Sequence, residues 1–125
     1  MLSKNKDDQF ADVPDSSSDP MAQKAEKYLL KNMKIPEHLG ITIRVTKKGG
    51  RYYVSEWRTG KQSFTGKPVE HPIARIAPIR GKGDEWQLAW MGKDLKWQNL
   101  DETYRGTFDY CLKMIIEDPG GFFWG

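Results

Sequence analysis

The chain is poor in the residues that most site chemistry needs. One cysteine, Cys111, stands among 125 residues, so no internal disulfide can form and a reducing, cytoplasmic setting is expected. Two histidines, His38 and His71, are too few to complete a structural zinc site of four Cys/His ligands. Neither has a motif partner nearby, and both neighbour turn residues. No apolar run approaches the ~20 residues of a membrane-spanning helix, and the polar opening stretch carries no secretory h-region. A phosphate-binding G-x-x-x-x-G-K-[ST] loop is missing, and the glycines at 49–50, 81–83 and 120–121 each fit a turn. The expectation is a protein without metal, cofactor or catalytic residue.

Strong charge of one sign is lacking too. Lys and Arg total 20 against 17 Asp and Glu, a net charge of +3. The distribution is uneven. Asp7, Asp8, Asp12, Asp15 and Asp19 face only Lys4 and Lys6 in the opening stretch, which leaves the remainder more basic than the whole. Residues 1–18 hold Phe10 and Val13 as isolated apolar positions and cannot bury enough surface to offset the entropy of ordering. They are expected to form a disordered acidic tail ahead of one domain over 19–125.

Tryptophan is what the chain has in plenty. Trp86, Trp90, Trp97 and Trp124, four of the five, fall in the last third. Asp19-Pro20 is a helix start, an N-cap followed by proline at the first helical position, and Ile35-Pro36 ends the helix. Met21, Ala25, Tyr28, Leu29 and Met33 recur at helical spacing as its apolar face, while Lys24, Lys27, Lys31 and Lys34 line a solvated side. Ile41–Thr46 alternates as a strand, Lys47–Gly50 turns the chain, and Arg51–Trp57 returns it. A two- or four-residue loop is expected to place Tyr52 opposite Val45 and Val54 opposite Ile43 on the buried face. It would set Tyr53 against Arg44, Ser55 against Thr42 and Arg51 against Thr46 on the other.

Residues 58–68 are expected to be a loop. A third strand over Ile73–Ile79 contains Pro78, which suits an edge or a bulge. A fourth strand over 85–91 leads to Gly92-Lys93, which fits a two-residue turn. That turn would pair Trp90 with Leu95 and Leu88 with Trp97. Trp86, Leu88, Trp90, Leu95 and Trp97 would then share one apolar core face. Thr107 caps a closing helix with Phe108, Cys111, Leu112, Ile115 and Ile116 as its stripe. The fold class is α+β: a five-stranded antiparallel meander flanked by an N-terminal and a C-terminal helix, α-βββββ-α, with both helices on one face.

His71-Pro72-Ile73-Ala74-Arg75, Trp86-x-Leu-x-Trp90, Asp94-Leu95-Lys96-Trp97 and Glu117-Asp118-Pro119-Gly120-Gly121-Phe122-Phe123 together resemble a bacterial family, domain of unknown function 3024. The resemblance covers roughly residues 70–125. Gln98-Asn99-Leu100 departs from the family pattern, in which an aromatic often closes that strand. The resemblance implies a shared fold and brings no activity.

Three functional readings remain. The first is a non-enzymatic binding module that takes single-stranded nucleic acid or another anionic partner on a basic, aromatic hairpin face. Its candidate residues are Arg44, Lys47, Lys48, Arg51, Tyr53, Trp57, Arg58 and Lys61: cations track phosphates while rings stack on unpaired bases. The bland counterpart is a hairpin whose lysines only keep it soluble and guard an edge. The second is a self-associating, homodimeric interaction module anchored by Trp57, Phe64, Phe122, Phe123 and Trp124, with the terminal aromatics either folded on the core or inserted into a partner. The third and most remote is a metal-dependent nuclease. Asp84 or Glu85 with Asp94 and Lys96 would mimic an acidic pair plus lysine, although Asp84 and Asp94 flank opposite ends of one strand.

Overall fold

The computed structural model describes residues 12–35, 39–60 and 65–124. His38, Lys61, Phe64 and Phe10 lie outside the described residues. Helix α1 spans Pro20–Met33, and its N-cap Asp19 accepts a hydrogen bond from the Ala22 amide at 3.0 Å. Strands β1 (Ile41–Lys48) and β2 (Arg51–Arg58) follow, then β3 (Val69–Pro78), β4 (Trp86–Met91) and β5 (Trp97–Asn99). A short 3-10 turn, Glu102–Tyr104, leads to a two-residue strand β6, Arg105–Gly106, and helix α2 closes the fold over Phe108–Glu117. The sheet order is β1-β2-β3-β4-β5, antiparallel throughout, with β6 pairing the other half of β4's outer edge. This is the expected α+β meander with a short sixth strand added.

Both helices cover one face of the sheet. Ala22, Ala25 and Leu29 of α1 and Phe108, Cys111, Leu112 and Ile115 of α2 pack on Ile43, Val45, Tyr52, Val54, Ile76 and Leu88. Burying a large aliphatic side chain there stabilises the fold by ~1.5–3 kcal/mol relative to exposure. Tyr52, Trp86 and Phe108 meet edge to face, with centroids 5.1–5.8 Å apart. The α1 face is turned by about one residue from expectation: Glu26 is buried in it, while Met21 and Tyr28 stay largely outside. Glu26 is buried because it has partners. Its carboxylate accepts from the Val45 amide on the free edge of β1, at 3.1 Å, and from the Ser16 hydroxyl.

Residues 12–18, expected to belong to the disordered tail, have a defined place in the structure. Val13 is buried, and the Pro14 carbonyl accepts from Arg44 Nε at 2.8 Å, so residues 12–18 run against the β1 edge. Strand β3 is central rather than at an edge, and its irregularity lies beside Pro72 and not at Pro78, which stays in register with Trp86. Its register against β2 slips between Val54 and Ser55, opposite Ala74 and Pro72, which leaves Ile73 as the extra residue.

Two hairpins depart from their expected registers. The β1–β2 turn uses only Gly49 and Gly50, both at positive φ, so Val45 faces Val54 and Lys48 faces Arg51. The shift is by two residues, which keeps every side chain on its expected face. The β4–β5 turn is longer than expected. The Leu95 amide donates to Gly92 O at 3.0 Å, and Leu95 then takes φ 62°, so Met91 faces Trp97. That shift is odd. It sends Trp97 to the opposite face of the sheet and leaves Leu95 at the tip, 80% exposed.

Candidate functional site

The face away from the helices is open. Alternation along the strands puts Lys48, Arg51, Tyr53, Arg75, Gln87, Met91, Trp97, Asn99 and Arg105 on it. The misplaced tryptophan organises its centre. The Trp97 and Tyr53 rings lie 5.8 Å apart at a tilt, and the Arg75 guanidinium sits 6.0 Å from the Trp97 centroid. Arg75 also donates to Asn99 Oδ1 at 2.9 Å. Its Nε is buried with no hydrogen-bond partner, an arrangement that leaves a donor unsatisfied at a cost of ~1–3 kcal/mol. Burial, and then the neighbouring Arg51, lower the Arg75 guanidinium below its ordinary value, against an opposing effect of Tyr53.

Two cavities flank this centre and share Arg51. One, about 590 Å³, is lined by the hairpin tip at Thr46, Lys48 and Gly49 together with Tyr53, Met91 and Trp97. The other, about 740 Å³, is lined by Arg51, Arg75, Lys82 and Arg105, with Glu85 and Glu102 as its acidic residues and Gln87 and Asn99 as its amides. The Arg105 fork is steadied by the Gln87 carbonyl oxygen, while the Gln87 amide donates to the backbone of Leu88 and Leu100. Cations converging on a cavity beside a pair of rings can hold an anion and a planar apolar group together.

The strand pleat divides the hairpin residues singled out in the sequence. Lys48, Arg51 and Tyr53 reach the open face. Lys47 and Arg58 lie on the helix side and are already paired: Lys47 with Asp19 at 3.6 Å, Arg58 with Glu56 at 2.8 Å. Arg44 is on the open face but engaged at the β1 edge, with Pro14 and with Glu26 at 3.8 Å. Trp57 shares the open face, four residues from Tyr53 along β2. The Ser55 hydroxyl between them donates to Glu70 at 2.6 Å, which puts a carboxylate in the gap. The face therefore extends across the strands and away from Trp57. Arg75, Lys82, Trp97 and Arg105 were missed in the sequence. Asp94, whose carboxylate accepts from the Lys96 amide at 3.2 Å as in an Asx-type turn, was the available sign of a longer loop.

The terminal aromatics fold back. Asp118, the αL C-cap of α2, accepts from the amides of Phe123 at 3.1 Å and Trp124 at 2.8 Å, and Trp124 Nε1 donates to Ile115 O at 2.8 Å. Phe123 is buried, and Phe122 lies 5.2 Å from Trp90 while keeping part of its surface exposed. The Glu-Asp-Pro-Gly-Gly-Phe-Phe stretch is thus a closing clasp on the core. Cys111 is buried at the same helix, and burial pushes its thiol up to about 12.

Asp84 and Asp94 sit beyond opposite ends of β4, about 20 Å apart by strand rise. Asp84 accepts from Trp86 Nε1 at 3.0 Å. Among the described residues no three His, Cys, Asp or Glu side chains come together as a metal cluster, and no helix is long and apolar enough to cross a membrane.

Comparison with curated proteins and with solved structures gives no match. A family model does match, over residues 15–125, so the likeness takes in α1 and the β1–β2 hairpin as well as the motif-rich stretch after residue 70. With nearly all of the described fold inside that match, the chain belongs to the family Domain of unknown function (DUF3024).

Proposed function

We propose that the protein is a non-enzymatic binding module that holds single-stranded nucleic acid on the open face of its sheet. Lys48, Arg51, Arg75 and Arg105 meet phosphates, and Tyr53 and Trp97 stack on unpaired bases. The observation that carries this reading is the odd register of the β4–β5 hairpin. It brings Trp97 beside Tyr53 at 5.8 Å, between two cavities that share Arg51. Each base stacked on an aromatic is worth ~1–3 kcal/mol, and each phosphate neutralised adds to the salt dependence.

The test is a titration of single-stranded DNA at two salt concentrations, read by fluorescence anisotropy or gel shift. Binding that weakens steeply as salt rises supports the proposal. Failure to bind at low salt overturns it. A duplex of the same sequence offers no unpaired base face and is expected to bind more weakly. Self-association through the terminal aromatics or a strand edge has a narrower footing, because residues 13–16 and Glu26 cover part of the β1 edge and Phe123 is buried. A sizing run on the free protein tests self-association: a monomer overturns it, and a dimer leaves strand binding to the titration.

A further inference from the structure

Resting on that reading, we propose that the cationic cavity receives the terminal phosphate of the bound strand, so that the protein holds strand ends in preference to strand interiors.

The charge of the cavity suits a strand end. Arg51, Arg75, Lys82 and Arg105 line the cavity against Glu85 and Glu102, four cations less two carboxylates, a surplus of two positive charges. An internal phosphodiester brings a single negative charge. A terminal phosphomonoester brings about −1.5 to −2 at neutral pH, with three acceptor oxygens in place of two. The dianion matches the surplus, and the monoanion leaves about half of it uncompensated.

The position of the cavity suits one as well. Tyr53, Arg75, Ala89 and Asn99 are cross-strand neighbours in one row of the sheet, with Trp97 flanking it. The next row towards the β3–β4 turn is Ala77, Gln87 and Arg105. Beyond that row the sheet ends, and the cavity is bounded by Pro78, Ile79, Lys82 and Glu85 of the turn. A strand laid from the aromatic pair into the cavity therefore runs to the margin of the sheet, where the turn supplies Lys82. Carboxylates line both cavities, Glu85 and Glu102 the cationic one and Glu70 the aromatic one, so it is the larger surplus of positive charge that sets the cationic cavity apart.

Arg51 and Lys82 form no ion pair among the described residues, so their charged ends are available to a ligand. A phosphate with three open oxygens can satisfy several of these donors at once, as forked guanidinium contacts do.

The experiment uses the full chain and one internally labelled DNA strand of about ten nucleotides. It is prepared with a 5′-phosphate, with a 3′-phosphate, or with hydroxyls at both ends. Anisotropy at a fixed low salt concentration is expected to give one phosphate-ended form an affinity about tenfold above the hydroxyl-ended strand. Lys82→Gln and, separately, Arg105→Gln should bring the three affinities together, with thermal melting checking that each variant folds. Lys82 is exposed on a turn, so its variant remains informative even if Arg105→Gln unfolds. Equal affinities for all three strands in the wild type overturn the terminal-phosphate inference and leave strand binding standing. No binding of any strand overturns both. Competition by inorganic phosphate or a nucleoside monophosphate as strong as by the phosphorylated strand also overturns the inference, because a small anion would then suffice.

Discussion

The two faces of this sheet carry the same kinds of residue in opposite circumstances. Under the helices, Trp86 meets Tyr52 and Phe108 edge to face, its indole N–H is held by Asp84, and the cations at that face are paired with carboxylates. On the open side, Trp97 meets Tyr53 and a guanidinium with a buried, unpartnered Nε, next to cavities of about 740 and 590 Å³. Satisfied polar groups and filled volume belong to stability. The single buried side-chain donor without a partner among the described residues, Arg75 Nε, lies on the open side, where the cations are not all paired with carboxylates. Under the proposed function, substitutions on the two faces should separate loss of stability from loss of binding.

The largest effect should come from the covered face. Leu88→Ala empties a fully buried position between the helices and the sheet and should cost about 2–5 kcal/mol in chemical denaturation. Trp97→Ala on the open face removes a much larger side chain, yet should cost only about 1 kcal/mol, because its ring contacts are few and partly solvated. The same variant should weaken single-stranded DNA about tenfold, the loss of one stacked base. If Trp97→Ala destabilises as much as Leu88→Ala, Trp97 is core after all and the contrast between the faces fails.

How far the sequence reveals this contrast depends on the parity of two registers. The helix caps at Asp19 and Thr107, the strand alternation and the α2 stripe all follow from local rules, and each has its counterpart in the structure. The β1–β2 register was displaced by two, an even number, so the division of Tyr52 and Val54 from Tyr53 and Arg51 survived. The β4–β5 register was displaced by three, and the faces exchanged. The reason is local. Gly92 looks like a turn glycine, yet it is not among the glycines at positive φ. The left-handed position that does turn the chain belongs to Leu95, a residue that gives no such signal. Glu26 shows the second limit: a carboxylate within a helix stripe looks solvated until its partner on the β1 edge is known.

A third effect sharpens the contrast through pH. Burial first, then the Asp84 charge, raises the Cys111 thiol from 9.0 to about 12. Burial and the Asp19 hydrogen bond raise Tyr52 from 10.0 to about 12. Both belong to the covered face. A folded pKa above the unfolded one favours the native state while the group stays protonated. The stabilisation is complete below the unfolded value and is lost as pH rises towards about 12. Urea denaturation across an alkaline series should therefore show stability falling above pH 9, and Cys111→Ala should flatten the first part of that fall. A slope that is unchanged by the substitution would mean that the thiol is not held in the buried setting described.

The smallest effect compares two adjacent residues. Lys47 and Lys48 are neighbours in the chain, and the strand pleat sends them to opposite faces. Lys47 lies 3.6 Å from Asp19 and 5.8 Å from the Tyr52 ring centroid, so its charge is already engaged. Lys48 lines the aromatic cavity of the open face. With single-stranded DNA, the slope of log affinity against log salt should become shallower by about 0.7 in Lys48→Gln, the share of one phosphate contact. It should stay as in the wild type in Lys47→Gln, whose charge faces the helix and not the strand. A single residue of displacement thus becomes a measurable difference in counterion release. Equal slopes in the two variants would mean that charge acts through the hairpin tip as a whole, and that the open face has no special claim on the strand.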